Sequence, residues 1–364
     1  MNSHSSSVSR TLRVGLIGYG FAGQTFHAPV IAGVSGLQLA AVASSQGERV
    51  RADWPNVTVC ETPATLLARS DIDLVVLATP NDTHHPLARE ALEAGKHVVV
   101  DKPFTTQLAQ ARALDDLAAA TGLLLSVYQN RRFDADYLTL SELVRQGTLG
   151  RLVFFESHFD RYRPQVRQRW RELPGDGAGL WLDLGSHLVD QTVQLFGWPS
   201  AIQADFAAHR DGALTEDYFH AQLRYEHGAH AGLRVVLHAS TLAAAPAPRY
   251  RLHGTAGSYV KQGVDPQEDA LRAGARPRLE ALGDWGLDTD EGQWVSSPDG
   301  VRLESRHVRT LRGNYLAYYA AVRDAILGLG PNPVTPSQAV AVMELLALGQ
   351  QSARERREVP VPQR

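Results

Sequence analysis

Lys102 stands between Asp101 and Pro103, directly after the apolar run Val98-Val99-Val100. A charged pair abutting a buried strand is costly unless it faces a cleft or a partner. Of the chain's 36 basic residues only Lys96, Lys102 and Lys261 are lysines. A compact amine whose pKa can be shifted suits proton transfer as guanidinium does not, which marks Lys102 for chemistry. Pro103 fixes the backbone behind it and helps aim the amine inward. Further along, Asp183 and His187 lie four residues apart, with Leu184, Leu188, Gln191 and Leu195 forming one helical stripe. That spacing predicts neighbours on a single helix face. A carboxylate beside an imidazole orients it and stabilises its protonated form, as a general base requires. A surface pair is the alternative reading of the same spacing.

Binding chemistry is written at the chain's start. Gly18-Tyr19-Gly20-Phe21-Ala22-Gly23 follows the apolar run Val14–Ile17. The first glycine permits the tight turn, the second lets backbone approach a pyrophosphate, and the third allows close helix–strand packing. Helix N-terminal amides then attract the anionic oxygens. In open α/β sheets ligands gather at the carboxyl ends of strands. The second strand ends Ala43-Ser44-Ser45, without the carboxylate that would hold an NAD ribose, and with Arg49 and Arg51 nearby. This favours NADP over NAD, although both arginines also read as part of a solvated helix. The fourth strand ends Thr79-Pro80-Asn81-Asp82-Thr83-His84, where Asn81 offers an amide to a cofactor or, with Asp82, caps the next helix. His84 and His85 read as helix-start residues in preference to metal ligands. The sixth strand ends Tyr128-Gln129-Asn130-Arg131-Arg132, again polar at the same edge. The expected cofactor shell is Gly18, Gly20, Phe21, Ala22, Gly23, Ser44, Ser45, Arg49, Thr79, Pro80, Asn81, His84, Asp101, Lys102 and Asn130.

These residues need a scaffold, and the pattern supplies one. Apolar runs at 13–17, 37–42, 56–59, 73–78, 97–100 and 123–127 alternate with helical patterns at 22–34, 63–69, 84–94 and 108–121. Several runs are continuous Val and Leu, as strands covered on both faces require. The prediction is a doubly wound, Rossmann-type parallel α/β sheet over residues 11–130. Residues 131–360 form an α+β domain with a large, mostly antiparallel sheet, its strands near 151–159, 201–207, 218–225, 229–240, 249–253 and 258–261. Helices are expected at 138–146, 314–327 and 336–354. Asp265–Ser297, rich in Gly, Asp and Pro, is expected as a surface excursion, and residues 1–10 as a disordered polar terminus.

Composition narrows the rest. A chain of 364 residues with 44% hydrophobic content can bury a sizeable core. A net charge of −3 gives no reason to expect nucleic acid or an anionic membrane as partner. Cys60 is the only cysteine, so an intrachain disulfide and a cysteine-built zinc site are excluded, and no metal is expected. No signal-peptide pattern or bilayer-length apolar stretch is present, which predicts a soluble cytoplasmic protein. The cluster Arg161, Arg163, Arg167, Arg169, Arg171 reads as a solvated or subunit-contact segment, with anion binding as the rival reading.

The glycine turn, Thr79-Pro80-Asn81, Asp101-Lys102-Pro103 and Asp183-x-x-x-His187 together resemble the Gfo/Idh/MocA oxidoreductases over nearly the whole chain. Asp101 replaces the usual Glu before the lysine, and the glycine stretch before the catalytic helix is reduced to Gly175–Gly179. The segments 25–29, 99–104 and 156–161 are similar to the NADP-dependent scyllo-inositol 2-dehydrogenase subgroup. The resemblance implies a catalytic triad of Lys102, Asp183 and His187. These three with Arg163 form the substrate site, and the reaction passes a hydride between NADP and a cyclic polyol. The alternatives are a sugar (aldose) dehydrogenase with the same triad, or a non-catalytic NADP-binding regulator. A homo-oligomer, dimer or tetramer, is expected.

Overall fold

The computed structural model describes residues 10–167 and 172–364. Residues 1–9 of the predicted disordered terminus at 1–10, and Arg169 and Arg171, lie outside the described residues. The first sheet comprises β1 (Leu12–Ile17), β2 (Leu37–Ala43), β3 (Thr58–Cys60), β4 (Leu74–Leu77), β5 (His97–Val100) and β6 (Leu125–Val127). Their order is β3-β2-β1-β4-β5-β6, with every pair parallel. The Val and Leu residues of β4 are fully buried, as helical layers on both faces demand. The strand order reverses between β1 and β4, and there the connections leave in opposite directions and open a crevice. The helices Pro63–Leu67, His84–Glu93 and Leu108–Thr121 fall where expected. The first helix differs in form: a π-turn at Gly23–His27 leads into the α-helix Ala28–Ala32.

The second sheet has nine strands: β7 (Leu152–His158), β8 (Ala201–Ala207), β9 (Tyr218–Arg224), β10 (Arg234–Ser240), β11 (Tyr250–Gly254), β12 (Gly257–Lys261), β13 (Gly292–Ser296), β14 (Glu304–Val308) and β15 (Val359–Pro360). Their order is β14-β13-β12-β11-β7-β10-β9-β8-β15, antiparallel except for the pair β7–β10. On β7 the alternate residues Phe155 and Ser157 face the helices, and Phe155 packs against Phe196 and Tyr250. The helix Pro336–Glu355 joins the two sheets. It opens with a capping box between Thr335 and Gln338. Ser126 on β6 donates to Val334 C=O at 3.0 Å, while Ser352 near the helix's end accepts from Ala204 N–H of β8 at 2.9 Å.

The predicted surface excursion at 265–297 is corrected. It supplies the helix Gln267–Arg272 and strand β13, and Asp265 and Gln267 are buried. Asp265 accepts from Ala135 N–H at 2.6 Å, and the Gln267 carbonyl accepts from Tyr315 N–H at 2.7 Å. Polar side chains go inside when they satisfy backbone groups that would otherwise be orphaned, and composition alone does not reveal this. Among the described residues no helix is long and apolar enough to cross a membrane.

Candidate active site

The glycine turn closes over the end of β1. Gly18 has φ +96°, and a Cβ there would meet Ala78 O at 2.3 Å. A Cβ on Gly23 would meet Gly18 O at 2.1 Å. These two glycines are required by the fold. At Gly20 a Cβ would meet nothing within 4 Å, because this backbone borders an open cleft of about 530 Å³. Gln24 N–H donates to Gly20 C=O, so the amides ahead of Gln24 are the helix's free donors. The cleft wall includes Gly18, Gly20, Phe21, Ala22, Ser44, Ser45, Thr79, Pro80 and Asp101, and its shape and donors fit a dinucleotide. Glu61 after β3 also lines it, a residue the strand-end argument passed over.

Of the expected cofactor residues, Gly23, Arg49, Asn81, His84, Lys102 and Asn130 lie off this cleft wall, Lys102 and Asn130 lining a neighbouring cleft instead. His84 is fully buried, with its ring nitrogens 2.9 Å from Pro103 O and 3.1 Å from Thr79 O. Burial pushes its pKa down, and it ties together the ends of β4 and β5 instead of reaching the cleft. Asn81 is buried too, and its amide donates to Gly177 O at 2.9 Å, so it anchors the loop that precedes Asp183 and His187. Arg49 is exposed on a short helix and donates to Gln46 Oε1 at 3.1 Å, outside the cleft wall.

Asp101 is the hinge between this cleft and a smaller one of about 120 Å³. One carboxylate oxygen accepts from Lys102 N–H at 2.8 Å, while the other lies 3.7 Å from His27 Nε2. Burial opposes its ionisation, but the facing His27 ring and the Lys102 charge prevail and hold its pKa below the ordinary carboxylate range. His27 is itself fixed by Tyr319 OH at 2.6 Å.

The smaller cleft is where the two sheets meet, and it brings Lys102, Asp183 and His187 together with Asn130 and Arg163. Asp183 lies in a second π-turn, Trp181–Gly185, which runs into the helix Ser186–Phe196. Packing makes that turn possible. Trp181 is fully buried, and a Cβ on Gly185 or on Gly349 would strike its ring at 2.5 or 2.6 Å. Its Nε1 donates to Leu346 O at 3.0 Å. An i→i+5 turn adds a residue per turn, so positions four apart no longer stack. The expectation that Asp183 holds the His187 ring is therefore corrected. Lys102 Nζ donates to both Asp183 Oδ1 and Asp183 O at 2.8 Å. His187 Nδ1 is buried with no hydrogen-bond partner among the described residues. Burial, reinforced by Lys102 and Arg131, drives the His187 pKa well below its ordinary value and so favours the neutral ring.

Beyond Arg163, expected from the sequence in the substrate site, the wall holds Arg131, Arg161, Glu268 and Arg272. Arg131 lies against Glu268, and also bonds Asp134 and Tyr315 at 3.3 Å. Burial opposes the charge on Glu268, yet Arg131 and Arg161 bring its pKa down to about 2. Arg161 and Arg163 line the cleft and so depart from the solvated or subunit-contact reading of the arginine cluster, while Arg167 is exposed. Burial pushes the Arg161 guanidinium down to about 10; Asp183 opposes this while Arg163 and Arg131 add to it. Arg131 stands among the polar residues at the end of the sixth strand; nothing local in the sequence marked Glu268.

Residues 12–129 match the family model for the NAD-binding Rossmann fold of the Gfo/Idh/MocA oxidoreductases, and 141–361 match that family's C-terminal alpha/beta domain. The chain is 54% identical over 349 residues to the uncharacterized oxidoreductase YdgJ of Escherichia coli strain K12, covering 96% of this chain and 98% of that one. It is 36% identical to scyllo-inositol 2-dehydrogenase (NADP(+)) IolW of Bacillus subtilis strain 168, covering 96% of each. The solved structure of YPO2259 from Yersinia pestis superposes with a TM-score of 0.92 at 52% identity, covering 98% of this chain and 99% of that one. With a Rossmann domain for a nicotinamide dinucleotide and a second sheet closing over its open edge, the chain belongs to the Gfo/Idh/MocA family of oxidoreductases.

Proposed function

We propose that the protein is an NADP-dependent dehydrogenase acting on a secondary alcohol of a cyclic polyol or closed-ring sugar. The observation that carries this reading is the meeting of Lys102, Asp183 and His187 in one cleft, joined through Asp101 to the glycine-lined one. The bound dinucleotide would supply the hydride acceptor. The glycine-turn amides would hold its pyrophosphate, and Ser44 and Ser45, with no carboxylate at the end of β2, leave room for a 2′-phosphate. His187, neutral at working pH, would take the hydroxyl proton. Lys102 would hydrogen-bond the same oxygen and stabilise its developing negative charge, while Asp183 fixes the amine. The scyllo-inositol/scyllo-inosose pair is the reference substrate, because the Bacillus relative bears that activity in its name.

The test is a polyol and sugar panel followed by NADPH absorbance, with NAD in parallel and with Lys102→Ala and His187→Ala made separately. Each variant is expected to lose roughly 10²–10⁴-fold in turnover while still binding NADPH. Near-wild-type turnover in both would refute the assignment.

A further inference from the structure

The small cleft carries more positive charge than its catalytic chemistry uses. Lys102, Arg131, Arg161, Arg163 and Arg272 face Asp101, Asp183 and Glu268 around it. The negative groups are already committed: Asp183 to Lys102, and Glu268 to Arg131 and Arg272. Arg161 is different. Its backbone N–H is held by Ser240 O, and its guanidinium lies over the Phe159 ring at 5.0 Å. Among the described residues no carboxylate or carbonyl accepts from that guanidinium, although it is partly buried. Two other arginines share the Phe159 ring, Arg131 and Arg249. Both have partners: Arg131 has Glu268 and Asp134, while Arg249 has Ser157, His158 O and Gln191. The aromatic plane thus fixes the Arg161 fork in place while leaving its donors for something that enters the cleft. A planar guanidinium with unspent donors recognises a carboxylate or phosphate bidentately.

We propose that Arg161 is a specificity residue, and that the preferred substrate is a ring polyol or sugar bearing an anionic group, a carboxylate or a phosphate ester. This rests on the proposed dehydrogenase reading and narrows it from neutral polyols to acidic ones. The glycine-turn cleft has its own donors for cofactor phosphates, so Arg161 is assigned to the substrate end.

The experiment compares matched ligands: D-glucuronate and D-glucose 6-phosphate against D-glucose and scyllo-inositol. Each is titrated calorimetrically into the NADP-saturated protein and assayed for turnover. In the wild type at least one anionic ligand should bind roughly tenfold or more tightly than its neutral counterpart, the size of a charge-assisted hydrogen bond. The arm that binds separates carboxylate from phosphate. Arg161→Gln should abolish that preference by weakening the anion alone, and Arg161→Lys should restore part of it. Wild-type affinity equal for anionic and neutral ligands, or no binding of either anion, overturns the proposal. So does an Arg161→Gln effect that falls on NADPH affinity instead, which would assign Arg161 to the cofactor. Anion-selective binding without turnover of any ligand would keep the anion site and refute the dehydrogenase reading.

Discussion

The three glycines of the dinucleotide turn can be separated by what an added methyl group would meet. Gly20→Ala places its Cβ in open space, with no atom within 4 Å, so the folded chain should tolerate it. Loss of unfolded-state freedom could even raise stability by about 0.4–1 kcal/mol. The methyl projects where a pyrophosphate must approach the backbone. Displacing one charge-assisted contact costs about 1.5–3 kcal/mol, which is roughly a 10- to 150-fold rise in Kd. Gly18→Ala should behave in the opposite way. Its φ of +96° costs an L-residue about 1–2 kcal/mol, and the Cβ, 2.3 Å from Ala78 O, would force backbone apart. With about 1–3 kcal/mol more for the clash, a total near 3 kcal/mol lowers Tm by roughly 6–12 °C, at about 2–4 °C per kcal/mol. Gly23→Ala, with its Cβ 2.1 Å from Gly18 O, belongs with Gly18. NADPH fluorescence titration and thermal melts on the same preparations decide the matter. An unchanged Kd in Gly20→Ala, or a melting loss as large as that of Gly18→Ala, would refute the reasoning.

Three further outcomes follow from buried titratable and charged groups. Because burial and its cationic neighbours depress the His187 pKa, log(kcat/KM) for alcohol oxidation should stay flat down through the ordinary histidine value of about 6.5; a His187-dependent inflection at or above that value would contradict the assignment. The same depression has a stability consequence: the unfolded chain takes up the proton first, so this contribution is complete above about 6.5 and is lost as pH falls toward the folded-state value, and His187→Asn should lessen that acid loss in urea melts. Arg132 grips Asp190 through two hydrogen bonds at 2.6 and 2.8 Å and also reaches Gln338 at 2.9 Å, tying the His187 helix to the helix that joins the sheets. Asp190→Ala strands a buried guanidinium and should cost about 3–5 kcal/mol by denaturant titration; a loss under about 1 kcal/mol, the worth of an exposed pair, would place the pair outside the structural core.

Legibility tracked burial on both faces. Runs such as Val98–Val100 and Leu74–Leu77 announce themselves because both sides of the sheet are covered, and the helix Leu108–Thr121 matches its predicted bounds. Strand β14 is exposed at four of its five positions and lies at the sheet's edge, so it carries no apolar alternation to read. β15 pairs only two residues. The helix Gln267–Arg272 was hidden because what buries its start is hydrogen bonding by Asp265 and Gln267, not hydrophobicity.

By itself the sequence determined the parallel sheet, the glycine turn and the candidacy of Lys102, Asp183 and His187, since each is signalled by neighbours within a few residues. Only the tertiary structure decided how they combine. A π-turn packed around Trp181 carries Asp183 out of register with His187 and onto Lys102, which comes from the other sheet. The same meeting of sheets sets Glu268 against Arg131 and leaves the Arg161 guanidinium facing the cleft. Such pairings depend on where distant strands end in space, and charge partners chosen by that geometry leave no periodic trace along the chain.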